Sequence, residues 1–159
     1  MLNSYSMSFD GNVLARGFWL YVWDIRGPSF RRLYVGRTGD SSSPNAQSPF
    51  KRIGQHLDPS PNAKGNALGK QLSRAGIDPL ECKFEMVAIG PIFPEQDTMD
   101  QHKPIRDQVA ALERALADFL RQQGYDVPGS HPRPVAPDGQ LFTQVRTIVE
   151  STFPPVESA

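Results

Sequence analysis

Arg32-Leu-Tyr-Val-Gly-Arg-Thr-Gly39 runs a short strand into a bare glycine and then at once into a guanidinium. The aromatic and β-branched run before it, Phe18-Trp-Leu-Tyr-Val-Trp-Asp-Ile25, is joined to it through Arg-Gly-Pro-Ser, so the two read as an antiparallel hairpin. With Ile25 opposite Phe30 across that loop, Tyr21 falls directly opposite Tyr34, on one side of the sheet. A slip of one residue would send the tyrosines to opposite faces. Residues 18–25 are apolar on both sides, which predicts a central strand. Paired tyrosines in such a hairpin are ordinary core packing unless the rest of the chain gives them partners.

Outward from the hairpin, Gly39 opens a polar loop, and Ser48-Pro49 starts a helix with a capping hydroxyl followed by proline where a missing N–H costs nothing. Phe50, Ile53 and Leu57 form its expected buried stripe. A second helix is predicted from Asn66 to Arg74, stopping at Gly76, and a third strand over 80–89. Cys82 falls within that strand and is expected on its apolar face as an inert thiol. Ile105, Val109, Leu112, Leu116 and Phe119 recur at helical spacing and predict a long helix from about Lys103 to Gln123, ended by Gly124. Residues 128–137 are proline-rich and irregular, and 141–153 form a last helix. The fold class is α+β: a small mixed, largely antiparallel three-stranded sheet flanked by helices, with a C-terminal helical arm. The division expected is a loose lead-in over 1–15, the working domain over 16–126, and a C-terminal extension over 127–159.

At 159 residues the chain can bury a real core. No apolar run reaches the roughly 18–20 residues of a membrane span, and the N-terminus lacks a signal-peptide pattern. A single cysteine excludes a disulfide framework within the chain. Together these predict a cytoplasmic protein without a membrane partner. The net charge of zero hides a split: residues 16–74 carry ten Lys and Arg against three Asp, a net of +7. A basic working face on a near-neutral protein has that signature, as does a mixed solvated surface.

Three further residues carry chemistry beside the tyrosines. Arg52 and His56, at i and i+4, project together beside the buried stripe of the first helix. A guanidinium matches phosphate geometry and keeps its charge, while a histidine moves protons near neutral pH. Glu113 lies at the margin of the long helix's apolar face, and one carboxylate with open positions is what magnesium accepts. Two other signals fail. Gly65-Asn-Ala-Leu-Gly-Lys-Gln71 lacks the spacing of a phosphate loop. The histidines at 56, 102 and 131 lack zinc-ligand spacing.

In order along the chain, this set resembles the GIY-YIG endonucleases. Trp19-Leu20-Tyr21 stands where the family name has Gly-Ile-Tyr, and Tyr34-Val35-Gly36 is the second motif, followed by Arg37-Thr38. Arg52-Ile-Gly-Gln-His56 matches the arginine–histidine helix, and Glu113 falls where the family has its metal-binding glutamate. The likeness covers about residues 17–126. The first motif lacks its glycine, and Asp126-Val-Pro-Gly-Ser-His-Pro-Arg-Pro134 stands where the family usually has an asparagine.

The resemblance implies a divalent-metal-dependent endonuclease acting on phosphodiester bonds, DNA foremost. Tyr21, Tyr34, Arg52, His56 and Glu113 are the expected catalytic set, and Glu113 the ligand of Mg2+ or Mn2+. Tyr21 would help deprotonate the attacking water, with Arg37 and a protonated His56 as the charges that make its phenol acidic enough. Arg37, Lys51, Lys64, Lys70 and Arg74 are the expected nucleic-acid contacts. The alternatives are a catalytically impaired nucleic-acid-binding module on the same fold, and a protein-interaction domain with a basic face.

Overall fold

The two aromatic strands form the predicted hairpin, but two residues away from the predicted register. The structure, a computed structural model, describes residues 1–131 and 135–157. Strand β1 (Phe18–Arg26) pairs antiparallel with β2 (Arg31–Arg37), placing Ile25 opposite Arg32, Trp23 opposite Tyr34 and Tyr21 opposite Gly36. The expected Ile25–Phe30 and Tyr21–Tyr34 pairs therefore do not form. The loop holds Gly27 to Phe30, closed by the Gly27 N–H donating to the Phe30 carbonyl at 3.0 Å, with the Phe30 ring folded onto Gly27 where a side chain would otherwise stand. Because the offset is even, alternation survives and the two tyrosines still share a face.

The register also sets Arg26 directly opposite Arg31, a like-charge pair that would weaken the hairpin. Asp24, buried in the apolar run, accepts from both guanidinia at 2.6–3.0 Å. Burial pushes its carboxyl upward, but the hydrogen bonds from Arg31 and Arg26 win and hold it below the ordinary carboxylate range. The one acid in β1 thus fixes the hairpin mouth.

Strand β3 (Lys83–Phe93) pairs with the other edge of β1, giving the order β2-β1-β3, antiparallel throughout and with β1 central as expected. It begins later than predicted because Pro79–Glu81 makes a 3-10 turn, whose Leu80 N–H is capped by the Asp78 side chain. Cys82 consequently precedes the strand, but it still packs, half-buried, against the core that holds Tyr21, Trp23 and Ile25, its thiol directed at the Asp78 carbonyl.

Helix α1 (Pro49–His56) starts as predicted, with the Ser48 hydroxyl accepting from the Lys51 N–H and proline in the first turn. Phe50 is not on its buried stripe; the ring is exposed and packs against Phe9 of the N-terminal segment, centroids 4.7 Å apart. Helix α2 (Ala67–Arg74) matches its predicted span. Helix α3 (Met99–Gln122) gains a turn over the prediction, because Thr98 caps it and Pro104 falls inside the helix. Helix α4 (Gly139–Thr152) is capped by Asp138.

Alternation along β1 divides the apolar residues between two cores. Phe18, Leu20 and Val22 join Leu33, Val35 and the buried stripe of α3 and α4 on one face. Tyr21, Trp23 and Ile25 face the other way, with Leu68 and Leu72 of α2 and the flank of α1. The sheet lies between α3 and α4 on one side and α1 and α2 on the other. A segment after α3 runs along the outer edge of β2: the Leu33 N–H donates to the Asp126 carbonyl at 2.9 Å, which satisfies part of an otherwise open strand edge. Part of the proline-rich stretch expected over 128–137 lies outside the described residues. Among the described residues no helix is long and apolar enough to cross a membrane.

Candidate functional site

The bare position in Tyr34-Val35-Gly36 exists for Tyr21. Gly36 faces Tyr21 across the hairpin, and the tyrosine ring lies over it so closely that a Cβ there would stand 2.6 Å from the hydroxyl. Without a side chain in the way, the phenol crosses β2 and its hydroxyl donates to the Arg37 carbonyl at 3.2 Å. A cross-strand aromatic over glycine thus sets the register and aims a hydroxyl past the sheet edge.

Helix α1 brings His56 onto this hydroxyl, with Nε2 2.6 Å from it. Tyr21 and His56 are each 1% exposed. The Tyr34 ring stands edge-on to the same imidazole, centroids 5.3 Å apart, so the two tyrosines and the histidine form one cluster. Burial drives the His56 pKa down to about 4, and the charge of Arg52 adds to the effect. The expected protonated His56 is therefore not the charge that acidifies Tyr21. Burial raises the Tyr21 pKa well above that of a free phenol, against the opposing charge of Arg52. Tyr34 shifts upward for the same two reasons in the same order. At neutral pH the cluster is uncharged, with the guanidinium beside it.

Arg52 reaches a polar cavity of about 240 Å³ between the 39–47 loop, α1 and the turn before α2. Its Nη2 donates to Asp40 at 3.0 Å and its Nη1 to Gln55 at 3.2 Å, while Nε is buried without a partner. Asn45, Gln47 and Lys64 complete the polar wall, and the Gln47 Oε1 is likewise buried and unpartnered. Gly39, at φ +75°, turns the chain under the Phe18 ring and delivers Asp40 to this wall. A cation flanked by amides and a second cation is an arrangement that accepts an anion with directional oxygens.

Glu113 lies on the opposite face of the sheet from the tyrosine cluster, and its partner is Arg37. Arg37 shares its side of β2 with Leu33 and Val35, so its side chain extends toward α3, where Nη1 donates to the Glu113 carboxylate. The ion pair is largely buried, at 14% and 10% side-chain exposure. Arg37 therefore links the two halves, its carbonyl holding Tyr21 and its guanidinium holding Glu113. Arg37, expected among the nucleic-acid contacts, is paired with Glu113.

Of the other expected basic contacts, Lys64 lines the cavity, Lys51 is exposed on α1, and Lys70 and Arg74 are exposed on α2. None of the four makes an ion pair among the described residues. Ser130 and His131 do not reach the tyrosine cluster. Ser130 is exposed, while His131 Nε2 points at the Val35 carbonyl, 3.4 Å away, and its own carbonyl accepts from Arg114. Sequence reading missed Asp40, Gln47 and Gln55. Asp40 had a signal, as the one acid in the polar loop after the glycine; the two glutamines had none. No protein-family model, curated protein or solved structure matches the chain.

Proposed function

We propose that this chain is a divalent-metal-dependent endonuclease that hydrolyses phosphodiester bonds in DNA, using the residues that resemble the GIY-YIG set. The observation that carries the reading is the Tyr21–His56 pair, buried and uncharged, beside a guanidinium in a polar cavity. Proton transfer next to a phosphate uses each part: a hydrogen-bonded Tyr–His couple, and a guanidinium that faces a cavity walled by polar side chains.

Arg52 holds the phosphoryl oxygens in the cavity, taking them in exchange for Asp40, and its charge opposes the one that grows in the transition state. Tyr21 relays a proton: its hydroxyl accepts from the attacking water while its own proton passes to His56 Nε2, 2.6 Å away. Burial and the charge of Arg52 make His56 a poor base, and negative charge on the phosphoryl group raises its proton affinity as the reaction proceeds. Tyr34 keeps the imidazole oriented by its edge-on contact. Lys64 and the exposed Lys51, Lys70 and Arg74 carry the backbone of the nucleic acid.

Glu113 offers one hard carboxylate, and no group of three or more His, Cys, Asp or Glu gathers among the described residues. That donor set fits magnesium or manganese, which takes one or two carboxylates and completes its shell with water and substrate phosphate. Held by Glu113, such an ion would supply positive charge for the leaving 3′ oxygen.

A second reading, a DNA-binding module without turnover, is favoured by one observation: Arg37 already neutralises Glu113. Incubation of supercoiled plasmid with magnesium, manganese or chelator separates the two. Nicking that requires the metal supports the first, and salt-dependent binding without nicking the second. A protein-interaction domain would show neither.

A further inference from the structure

Arg37 holds the carboxylate that a cation would need. Its guanidinium comes from the end of β2, on the face turned toward α3, and spends an Nη on Glu113 in a largely buried pair. The remainder of the side chain is poorly satisfied: Nε is buried without a partner. Arg106 and Arg52 add positive charge around it, and the charge of the Asp40 carboxylate also acts on it. A buried carboxylate stripped of its counter-ion is costly, so Glu113 keeps one cation or another. Two cations on it compete. A guanidinium and a divalent ion on the same carboxylate would repel each other strongly at low dielectric.

We propose that Arg37 is the resident counter-ion that a divalent cation must displace from Glu113, and that it thereby sets the cation affinity of the site. The inference rests on the reading of Glu113 as the metal ligand. Arg37 is a positioning residue: it acts on the reaction through Glu113, without touching substrate. Loading the ion releases the guanidinium, for which Asp40 is the alternative partner on the cavity side. Asp40 in turn is bound to Arg52, so cation binding at one end of the site competes for the carboxylate that occupies the arginine at the other. Metal and phosphate then bind with positive coupling.

The test is manganese binding by titration calorimetry to the full chain without nucleic acid. The proteins are wild type, Arg37→Met, Arg37→Lys, Glu113→Gln and the double variant Arg37→Met/Glu113→Gln. Arg37→Met is expected to bind manganese about 10-fold more tightly or better, Arg37→Lys in between, and both Glu113→Gln proteins not at all. Arg37→Met leaves a buried carboxylate bare, so its thermal midpoint should fall without metal and recover when manganese is added. Equal or weaker binding by Arg37→Met, with wild type binding and Glu113→Gln not, overturns the displacement while leaving Glu113 as the ligand. An Arg37→Met protein that stays unfolded at saturating manganese overturns it too. Absence of binding in wild type and Arg37→Met alike removes the metal site itself, and the inference with it.

Discussion

The hydroxyl of Tyr21 and Nε2 of His56 lie 2.6 Å apart, between two side chains almost wholly shielded from water. Tyr21 also points its single proton at the Arg37 carbonyl, 3.2 Å away, and His56 Nδ1 has no partner. A phenol has one proton, so it serves either the carbonyl or the imidazole, and the imidazole tautomer changes with that choice. A couple with two proton arrangements is suited to relay.

The histidine makes stability depend on pH in a definite direction. Its folded pKa of about 4 lies below the ordinary value of 6.5, so the unfolded chain binds the proton more readily. Stability is full above pH 6.5 and drains away as pH falls toward 4, by about 3 kcal/mol from this group. Urea unfolding at pH 7 and pH 4.5 should show a much smaller loss for His56→Gln than for wild type. Parallel losses in the two proteins would mean that His56 titrates normally.

Two glycines should respond in opposite directions to the same change. Gly36→Ala drives a methyl group into the Tyr21 ring and should cost about 1–3 kcal/mol, with the couple displaced. Gly54→Ala, in the middle of α1 with open space around it, should gain about 0.5–1 kcal/mol. Chemical denaturation reads both. A harmless Gly36→Ala would show that Tyr21 does not depend on the bare position.

Asp40→Asn removes the carboxylate that now occupies Arg52. Affinity for a short DNA duplex, measured by fluorescence anisotropy, should rise several-fold, since the anion competing with phosphate is gone. Weaker binding would assign Asp40 to holding Arg52 in place.

Lys64→Ala should weaken DNA binding and lower the slope of log affinity against log salt by about 1, as expected when one phosphate contact is lost. An unchanged slope would put Lys64, and the cavity wall with it, away from the backbone path.

The elements of this fold were legible where local chemistry decides them. Ser48-Pro49 started α1, the aromatic runs formed strands, and the apolar spacing of α3 named its buried side. The hairpin register was not legible, because the Phe30 ring folds onto Gly27 and Tyr21 lies on Gly36, and both contacts belong to side-chain shape instead of alternation. Parity carried the tyrosines to one face all the same. The pairing of Arg37 with Glu113, 76 positions apart, depends on which face of β2 meets α3, and the motif that named both residues says nothing about it. Burial was the other blind spot: a helix-surface His56 reads as a ready cation, whereas the cluster around it keeps it neutral.

The central claim is metal-dependent phosphodiester cleavage by the Tyr21–His56 couple beside Arg52. Its most direct test is nicking of supercoiled plasmid with magnesium, manganese or chelator, by wild type, Tyr21→Phe, Arg52→Ala and Glu113→Gln, with DNA affinity measured on the same proteins. Wild type should nick only with metal. Tyr21→Phe should lose rate with little change in binding, since only a hydroxyl is removed. Arg52→Ala should lose rate and some affinity, because it meets charge in both the ground state and the transition state. Glu113→Gln should stop nicking and leave binding nearly intact. A wild-type protein that binds DNA without nicking it, or a Tyr21→Phe protein as fast as wild type, would contradict the account.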